Sequence, residues 1–564
     1  MVLIHTHYLT DNPLLWVCLL LGICIYLLSL IIGKRKARTG GIGALTTAVL
    51  LGREGKKVLV LEQHGLAGGC CPTFVKKGFE FDTGIHYVGE MGEGEDPRIL
   101  IDQVRRGKWS GFPWTKPMTR YSLSFLHKAL PDGCWERNYF KKLLEMFPQE
   151  KAENKWAFMG TMALKILPEF LTMFLVRSGI HGLIFPRYNK QRRTSVTEFL
   201  NSISDNTELK TFLLTLWRFW CATESNEHVR IRIIINHYMG GAYYPLGGSS
   251  EIAFQMIPII ERYGGKVFVR CPVSEILIDD AGRAVGVKIH KSSGDINIHA
   301  KYIISNAGVH NTFKYLLPKM VAAKSVYYPL VEEVGSSISY MTTFVGLDGS
   351  TKELGLNAGN TWAFHSFELQ KMIEEYLALS VEEAAELDAP FYFISFPSAK
   401  DPSWESRYPG KSAALLITLC PYEWFSAWEK QRCKHRGEDY VSLKDKIGRQ
   451  MWLQCQQVFP QLAGKMEYIE VGTPITNRHY LGYPRGEMYG LDHKLNRFSP
   501  EIFTKLRAKT DIPGLYLTGQ DVMTGGFVSS LHSGVFTASA VLNRNLLINL
   551  HLSTREIKAR KKIE

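Results

Sequence analysis

The hydrophobic pattern between residues 40 and 62 predicts a helix followed by a buried strand. Four apolar residues recur at helical spacing after a glycine cluster, namely Ile42, Leu45, Val49 and Leu50. Gly52 and Gly55 end this segment, and residues 58–61 form a continuous apolar run that leads to Glu62. A helix joined to a fully buried strand is typical of an α/β protein with a parallel sheet.

The glycines before this helix predict a dinucleotide site. Residues 39–44 read TGGIGA, so Gly41, Gly43 and Ala44 stand where a phosphate-binding turn meets a helix N-terminus. Glycines let backbone N–H groups approach a pyrophosphate, and the helix dipole favours its charge. Glu62 follows about 20 positions on, the distance at which an acidic residue binds ribose hydroxyls.

One part of this unit is missing from its usual place. A hydrophobic strand normally feeds directly into the first glycine, but here the basic residues 34–38 precede Thr39, which holds the first glycine's position. That strand would be central, and its loss would leave buried backbone groups unpaired at about 1–3 kcal/mol each. We expect either that residues 28–32 supply the strand or that the site is impaired. A misjoined or alternatively spliced gene product would also lack the strand.

The N-terminal region predicts attachment to a membrane. Residues 14–32 form an uncharged apolar run close to the roughly 20 residues that cross a bilayer. Basic residues follow this run and none precedes it, which favours an anchor with the C-terminal side in the cytosol. A cleaved signal peptide is the alternative, although it would want a basic n-region and a small-residue cleavage site.

Two further features bear on location. Residues 156–185 are apolar but interrupted by charges, so they suit either an amphipathic stretch on the bilayer or an internal core helix. Lys561 and Lys562 resemble an endoplasmic reticulum retrieval signal, or belong to a basic tail. We expect the endoplasmic reticulum membrane to be the location.

The composition excludes several classes of protein. The 564 residues are 45% hydrophobic and 21% charged, which is ordinary for a globular chain and excludes disorder and coiled coil. The ten cysteines include no CxxC pair, so we expect neither a disulfide framework nor a metal site. The net charge of +13 fits a membrane surface or a phosphate-bearing cofactor as well as nucleic acid. Given the dinucleotide motif, we expect no nucleic-acid partner.

Several long motifs carry a family resemblance. Residues 58–90 read VLVLEQHGLAGGCCPTFVKKGFEFDTGIHYVGE, residues 243–260 read YYPLGGSSEIAFQMIPII, residues 304–308 read ISNAG, and residues 514–522 read GLYLTGQDV. Together with FPSAKDP at 396–402 and PRGEMYGLDH at 484–493, they closely resemble the retinol saturase family, in the phytoene desaturase and carotenoid isomerase group of flavoproteins. The resemblance begins at the glycine cluster and extends to the C-terminus.

The resemblance implies that FAD is the tightly held cofactor. Gly68 and Gly69 would allow the backbone to approach FAD, the backbone of Val273 would meet the adenine, and Asp521 would bind a hydroxyl of the flavin. The full set of cofactor-binding residues that we predict is Gly41, Gly43, Ala44, Glu62, Gln63, Gly68, Gly69, Val273, Gly519, Asp521 and Val528. The helix start near Val528 would face the isoalloxazine. NAD or NADP would supply the electrons, although the sequence contains no second nucleotide motif.

Five other residues are candidates without a clear role. Cys70 and Cys71 suggest redox chemistry, but adjacent cysteines rarely bridge, and core packing explains them better. His86 either touches the flavin edge or is a core histidine. Tyr244 and Glu251 lie in a motif that would face the substrate, and the catalytic acid stays unassigned.

The order of the motifs predicts an α/β protein with a discontinuous FAD-binding Rossmann-like domain whose first strand is missing. Residues 39–110, 240–312 and 484–548 would form this domain. A mixed α+β substrate domain would be built from residues 111–239 and 313–483. The expected N-terminal membrane anchor with its basic flank spans residues 1–38, and a basic tail spans residues 549–564.

The family resemblance implies reduction of the 13,14 double bond of all-trans-retinol to 13,14-dihydroretinol. Reduced flavin would deliver a hydride, and water or a side chain would supply the proton. A carotenoid or other polyene isomerase, or a desaturase, is the first alternative, because such enzymes share these motifs. A flavin-less pseudoenzyme or splice variant is the second, because the first strand is missing. The expected partners are a retinoid or other polyene and the membrane.

Overall fold

The computed structural model describes residues 2–5, 40–92, 95–104, 121–125, 128–129, 241–291, 294–365 and 368–560, and the single residues 175 and 237. The strands in these ranges are β1 (Val2–His5), β2 (Lys57–Leu61), β3 (Thr73–Lys76), β4 (Phe79–Asp82), β5 (Val88–Gly89), β6 (Tyr121–Phe125), β7 (Lys128–Ala129), β8 (Ala242–Tyr243), β9 (Lys266–Phe268), β10 (Val273–Ile278), β11 (Ala284–Lys291), β12 (Gly294–His299), β13 (Tyr302–Ser305), β14 (Tyr340–Asp348), β15 (Asn360–Phe364), β16 (Phe391–Ser395), β17 (Lys411–Leu419), β18 (Met466–Gly472) and β19 (Leu515–Leu517). The α-helices are Ile42–Arg53, Asp96–Gln103, Ser250–Arg262, Val309–Asn311, Lys319–Ala322, Tyr327–Val334, Leu369–Leu377, Val381–Ala384, Pro397–Lys400, Trp404–Arg407, Gly437–Val458, Pro474–Leu481, Pro500–Lys505, Phe527–Leu542 and Leu546–Arg560.

A five-stranded sheet with the order β19-β13-β1-β2-β9 carries the glycine motifs. Within it, β2 is parallel to β9, and β13 is parallel to β19. The strand between these pairs is β1, which runs antiparallel to both neighbours. Leu3 of β1 lies opposite Ile303 on one side and Leu59 on the other. The central position of the sheet is therefore occupied.

This arrangement corrects the expectation of a missing first strand. Residues 2–5 fill the position, whereas we expected residues 28–32 or nothing. A parallel strand at this position would have to end beside the glycine cluster. An antiparallel strand runs the other way, but its backbone N–H and C=O groups still pair with both neighbouring strands. The sequence VLIH suits such a position because three of its four residues are apolar and two are β-branched.

The predicted anchor at residues 14–32 and the apolar stretch at 156–185 lie outside the described residues. Among the residues that the structure describes, no helix is both long and apolar enough to cross a bilayer.

Two helices pack against each other and cover the five-stranded sheet. Helix Ile42–Arg53 buries Ala44, Leu45, Ala48 and Val49 completely, as its apolar spacing predicts. Helix Phe527–Leu542 contacts it at Gly534, where a Cβ would lie 2.6 Å from the Cβ of Thr46. This close approach fixes the start of the first helix relative to the end of β19.

The second large sheet has seven strands in the order β18-β14-β17-β16-β15-β6-β7. Its pairs are antiparallel except for β15 and β6. Strands β15 and β16 are buried along their whole length, and each contains a run of consecutive apolar residues, WAF in β15 and FYFI in β16. The long helix Gly437–Val458 packs on this sheet, with Met451 and Cys455 in the shared core.

The five-stranded sheet draws its strands from well-separated parts of the chain, between Val2 and Leu517. The protein therefore has a Rossmann-like unit of mixed helices and strands. The domain boundaries given above stay a prediction.

Candidate functional site

The two glycine motifs meet at the N-terminus of the first helix. Gly41 forms a parallel bridge with Gly68, and the N–H of Gly68 donates to the carbonyl oxygen of Gly40 over 2.8 Å. A Cβ on Gly69 would lie 3.1 Å from the Cα of Gly41. The helix start, with its unpaired N–H groups, is therefore lined by backbone rather than by side chains.

At Gly43 and Gly519, neighbouring atoms lie so close that only glycine fits. A Cβ on Gly43 would lie 2.7 Å from the backbone nitrogen of Gly519, and a Cβ on Gly519 would lie 2.6 Å from Asn306 Oδ1. Real Cβ atoms do not approach this closely, so both positions exclude larger residues. Ala44 is buried against the sheet, which is the packing role of the last small residue in such a motif.

Asn306 is a site residue that the sequence reasoning missed. It follows β13, in the ISNAG motif, and its amide lies between Gly41 and Gly519: a Cβ on Gly41 would be 2.3 Å from Asn306 Nδ2. Its buried Oδ1 has no hydrogen-bond partner within the described part of the chain. An amide at a helix N-terminus that offers a donor and an unused acceptor fits a ligand carrying both phosphate and hydroxyl groups.

At the far end of this site, Glu62 lies beside the segment that leads into Val273. Glu62 directly follows β2, and its carbonyl oxygen accepts the N–H of Cys271 over 2.7 Å. Its carboxylate accepts the N–H of His64 over 2.9 Å. Gln63 is exposed, and its side chain reaches towards Gly482. This arrangement suits the adenosine part of a dinucleotide.

Asp521 fixes the other end of the site. Its Oδ2 accepts the N–H of Val309 and its Oδ1 accepts the N–H of Leu491, both over 2.9 Å. The carboxylate therefore ties two loops to the end of β19. A carboxylate has lone pairs left after two such bonds, so it can still accept a ligand hydroxyl. Val528 lies in the first turn of helix Phe527–Leu542, and its carbonyl oxygen bonds the ring of His532.

A buried polar network joins the end of β4 to the segment that precedes helix Ser250–Arg262. Asp82 accepts hydrogen bonds from the hydroxyls of Tyr244 and Ser249, each over 2.7 Å. Burial raises the pKa of Asp82 to about 6, against the effect of these two bonds. Burial also raises the pKa of Tyr244 well above its ordinary value. Tyr244 therefore positions Asp82 and is poorly suited to ionise.

Lys400 is the most deeply buried cation near this network, at 2% exposure, among the lysines that the structure describes. Its Nζ donates to the carbonyl oxygen of His86, to Asn360 Oδ1 and to Ser395 Oγ. Burial lowers the pKa of Lys400 to about 7. Burial and the nearby Lys400 lower the pKa of His86 to about 3, so the imidazole is neutral. His86 is thus a core residue that retains a buried Nδ1 with no described partner.

The last candidates from the sequence are two cysteines and one glutamate. Cys70 and Cys71 are free thiols, and burial raises the pKa of Cys70 to about 11, which disfavours the reactive thiolate. Glu251 lies in the first turn of helix Ser250–Arg262.

Glu487 is a buried carboxyl group that sequence reasoning missed, and burial raises its pKa to about 7. Among the described residues, no group of three or more His, Cys, Asp or Glu could hold a metal ion.

Comparison with known proteins places the fold in a class. A family model described as an NAD(P)-binding Rossmann-like domain matches residues 40–103. The crystal structure of an oxidoreductase from Methanosarcina mazei aligns with a TM-score of 0.53 at 17% identity, covering 90% of this chain and 99% of that chain. The chain thus contains a Rossmann-like domain, and its fold is similar to that of this oxidoreductase.

Two curated relatives are much closer in sequence. The all-trans-retinol 13,14-reductase of Danio rerio is 39% identical over 521 residues, covering 90% of this chain and 85% of that protein. A protein described as an inactive all-trans-retinol 13,14-reductase, also from Danio rerio, is 34% identical over 547 residues and covers 93% and 88%. The chain belongs to the all-trans-retinol 13,14-reductase family.

Proposed function

We propose that this protein is an FAD-dependent oxidoreductase that reduces the 13,14 double bond of all-trans-retinol to 13,14-dihydroretinol. The observation that carries the proposal is the intact glycine-lined helix start, with the unused Asn306 amide beside it, in a chain that is 39% identical to a retinol reductase. A family member with a collapsed cofactor site would not need to keep Gly43 and Gly519 so close together.

The residues present fit a flavin dinucleotide. The N–H groups at the start of helix Ile42–Arg53 would bind the pyrophosphate, Glu62 would bind the adenosine ribose, and Asp521 would accept a hydroxyl nearer the flavin. When bound, FAD would supply the hydride chemistry that no side chain can provide. The protein's own groups would orient the polyene and exclude water from the reacting carbons.

The proton for the second carbon requires an acid that holds a proton near neutral pH. The raised pKa of Glu487, about 7, and that of Asp82, about 6, give two buried carboxyl groups this property. Water is the alternative source. We leave the catalytic acid unassigned, and solvent-isotope and mutational data would identify it.

The test begins with the detergent-purified chain. Flavin is released by heat and quantified, and the loaded protein is then reduced chemically without oxygen and mixed with all-trans-retinol. Dihydroretinol as the product would support the proposal. A geometric isomer alone would indicate an isomerase, and a more unsaturated product would indicate a desaturase.

A flavin-less family member is the second candidate, and one relative is described as inactive. Thr39 at the first glycine position and the reversed β1 favour it. Absence of flavin after purification, together with no rise in melting temperature when FAD is added, would establish this candidate and refute the reductase proposal.

We further propose that residues 14–32 anchor the protein in the endoplasmic reticulum membrane and that NADH or NADPH supplies the electrons. The uncharged apolar run with basic residues after it supports the anchor. Carbonate extraction and protease protection of microsomes test the anchor and its orientation. Anaerobic flavin bleaching by NADH or NADPH tests the electron source, and no bleaching by either would refute it.

A further inference from the structure

One face of the seven-stranded sheet carries a ladder of aromatic rings that ends in polar groups. Because side chains alternate along a strand, each pair of facing residues in β15 and β16 lies on the same face as the pair two residues away. The three pairs on this face are Phe364 with Phe391, Trp362 with Phe393, and Asn360 with Ser395. The ring centroids are 5.9 Å apart in the first pair and 5.2 Å apart in the second.

The loop after β4 covers the polar end of this ladder. The Tyr87 ring lies 6.2 Å from Trp362 and 6.0 Å from Phe393, and the His86 ring lies 6.0 Å from Phe393. Lys400 joins the loop to the sheet, because its Nζ contacts the carbonyl oxygen of His86 over 2.8 Å and Asn360 Oδ1 over 2.5 Å. The ladder thus ends at the loop between β4 and β5.

Two polar atoms at this end have no hydrogen-bond partner within the described part of the chain: His86 Nδ1 and Asn360 Nδ2. Asn360 is 1% exposed and His86 is 9% exposed, so water does not readily satisfy them. A buried polar group without a partner costs about 1–3 kcal/mol. Lys400 bonds both residues, and two such atoms on residues that share this contact favour a ligand that binds there.

The chemistry of the two atoms complements a hydroxyl group. Lys400 donates to Asn360 Oδ1, which fixes the amide with Nδ2 as a free donor. The imidazole of His86 is neutral, so Nδ1 can accept when the hydrogen is on Nε2. An alcohol needs one acceptor for its hydrogen and one donor for its oxygen. An ester offers only acceptors, and a hydrocarbon offers neither.

We propose that His86 and Asn360 bind the terminal hydroxyl of a long conjugated alcohol whose chain lies along the aromatic ladder. The substrate class of this specificity site rests on the proposed function. The proposal goes beyond that function because it names the residues that distinguish the alcohol from its ester and its hydrocarbon. Lys400 acts as a positioning residue, because it orients both the Asn360 amide and the loop that carries His86.

The experiment measures binding to the full chain in detergent by quenching of tryptophan fluorescence. The probes are all-trans-retinol and the same polyene with a methyl group in place of the terminal hydroxymethyl group. Two hydrogen bonds should make the alcohol bind about 10- to 100-fold more tightly than the hydrocarbon. Equal binding of the two probes by the wild-type protein would overturn the proposal.

Asn360→Asp is the variant closest in shape: it keeps an oxygen for Lys400, removes the donor and adds a negative charge. We expect the preference for the alcohol to fall about tenfold. The matched control Asn297→Asp makes the same change at an exposed position in β12 and should keep the preference. His86→Phe is a second variant that keeps a ring beside Phe393 and removes Nδ1. Retention of the full preference by folded Asn360→Asp and His86→Phe would refute the assignment.

Binding and turnover separate this proposal from the proposed function. A preference for the alcohol that depends on Asn360, in a flavin-loaded protein that reduces neither probe, would support the hydroxyl site and refute the reductase. Reduction of both probes with equal efficiency would support the reductase and refute the hydroxyl site. In an active enzyme, Asn360→Asp should raise KM for retinol more than it lowers kcat.

Discussion

Leu3 in β1 lies directly opposite Leu59 in β2, and the two strands run antiparallel. Residues at the start of the chain thereby complete the centre of a sheet whose other four strands pair in the parallel sense. The candidate nucleotide site depends on this strand, because its two neighbours in the sheet lead into the site: β2 leads to Glu62 and β13 leads to Asn306. A short N-terminal segment therefore supports two parts of the candidate cofactor site.

Substitution of Leu3 by proline should weaken the protein and its cofactor site together. Strand β1 has a partner on each side, so proline removes a ladder hydrogen bond in the middle of a sheet and leaves a buried acceptor unpaired, at about 1–3 kcal/mol. We expect a lower melting temperature and a reduced flavin content after purification. Asp280→Pro is the control, because Asp280 is exposed in the turn between β10 and β11. If Leu3→Pro behaves like this control, β1 does not support the sheet.

The local pattern was enough to predict helix Ile42–Arg53 and β2, because helical spacing and apolar runs report burial directly. The origin of the central strand was not predictable in this way. Pairing across the sheet joins residues 2–5 to residues 57–60 and 302–304, and no local spacing encodes such a partner. Asn306 and Asn360 were missed for the same reason, since their importance lies in what surrounds them after folding.

Asn306→Asp tests the candidate pyrophosphate site. The substitution keeps the shape of the side chain, removes its donor and places a negative charge beside the helix N-terminus. Loss of a hydrogen bond to a charged group, worth about 1.5–3 kcal/mol, predicts at least a tenfold weaker Kd for FAD. The measurement is quenching of flavin fluorescence during titration of the apoprotein. Asn306→Ala should have a smaller effect, and unchanged Kd values in both variants would exclude Asn306 from the site.

Arg407→Ala should destabilise the contact between strand β4 and the segment that follows helix Pro397–Lys400. The guanidinium bonds Glu80 Oε1 over 2.8 Å and Asp401 Oδ2 over 2.6 Å, and the Asp401 side chain is fully buried. Removal of the cation leaves buried carboxylates without their partner, at about 3–5 kcal/mol. Denaturant unfolding provides the free energy of unfolding. Arg544→Ala is the matched control, because its ion pair with Glu54 is exposed and should contribute less than about 1 kcal/mol.

Glu487→Gln should change how stability depends on pH. Glu487 is 1% exposed, and burial raises its pKa in the folded protein to about 7, from an ordinary value of 4.5. Between these two values the folded state holds a proton that the unfolded state has released. The stability from this group is therefore present below pH 4.5 and is lost as pH rises to about 7, by at most about 1.4 kcal/mol per pH unit.

Glutamine keeps an oxygen to accept the N–H of Arg485 but has no proton to release. The free energy of unfolding of Glu487→Gln should therefore fall less steeply than that of the wild-type protein between pH 4.5 and 7. Asp82 also has a raised pKa, but it contributes equally to both proteins, so the difference between them isolates Glu487. Denaturant unfolding at several pH values measures this difference, with the exposed Glu501→Gln as control. Parallel profiles for all three proteins would mean that Glu487 is ionised in the folded state.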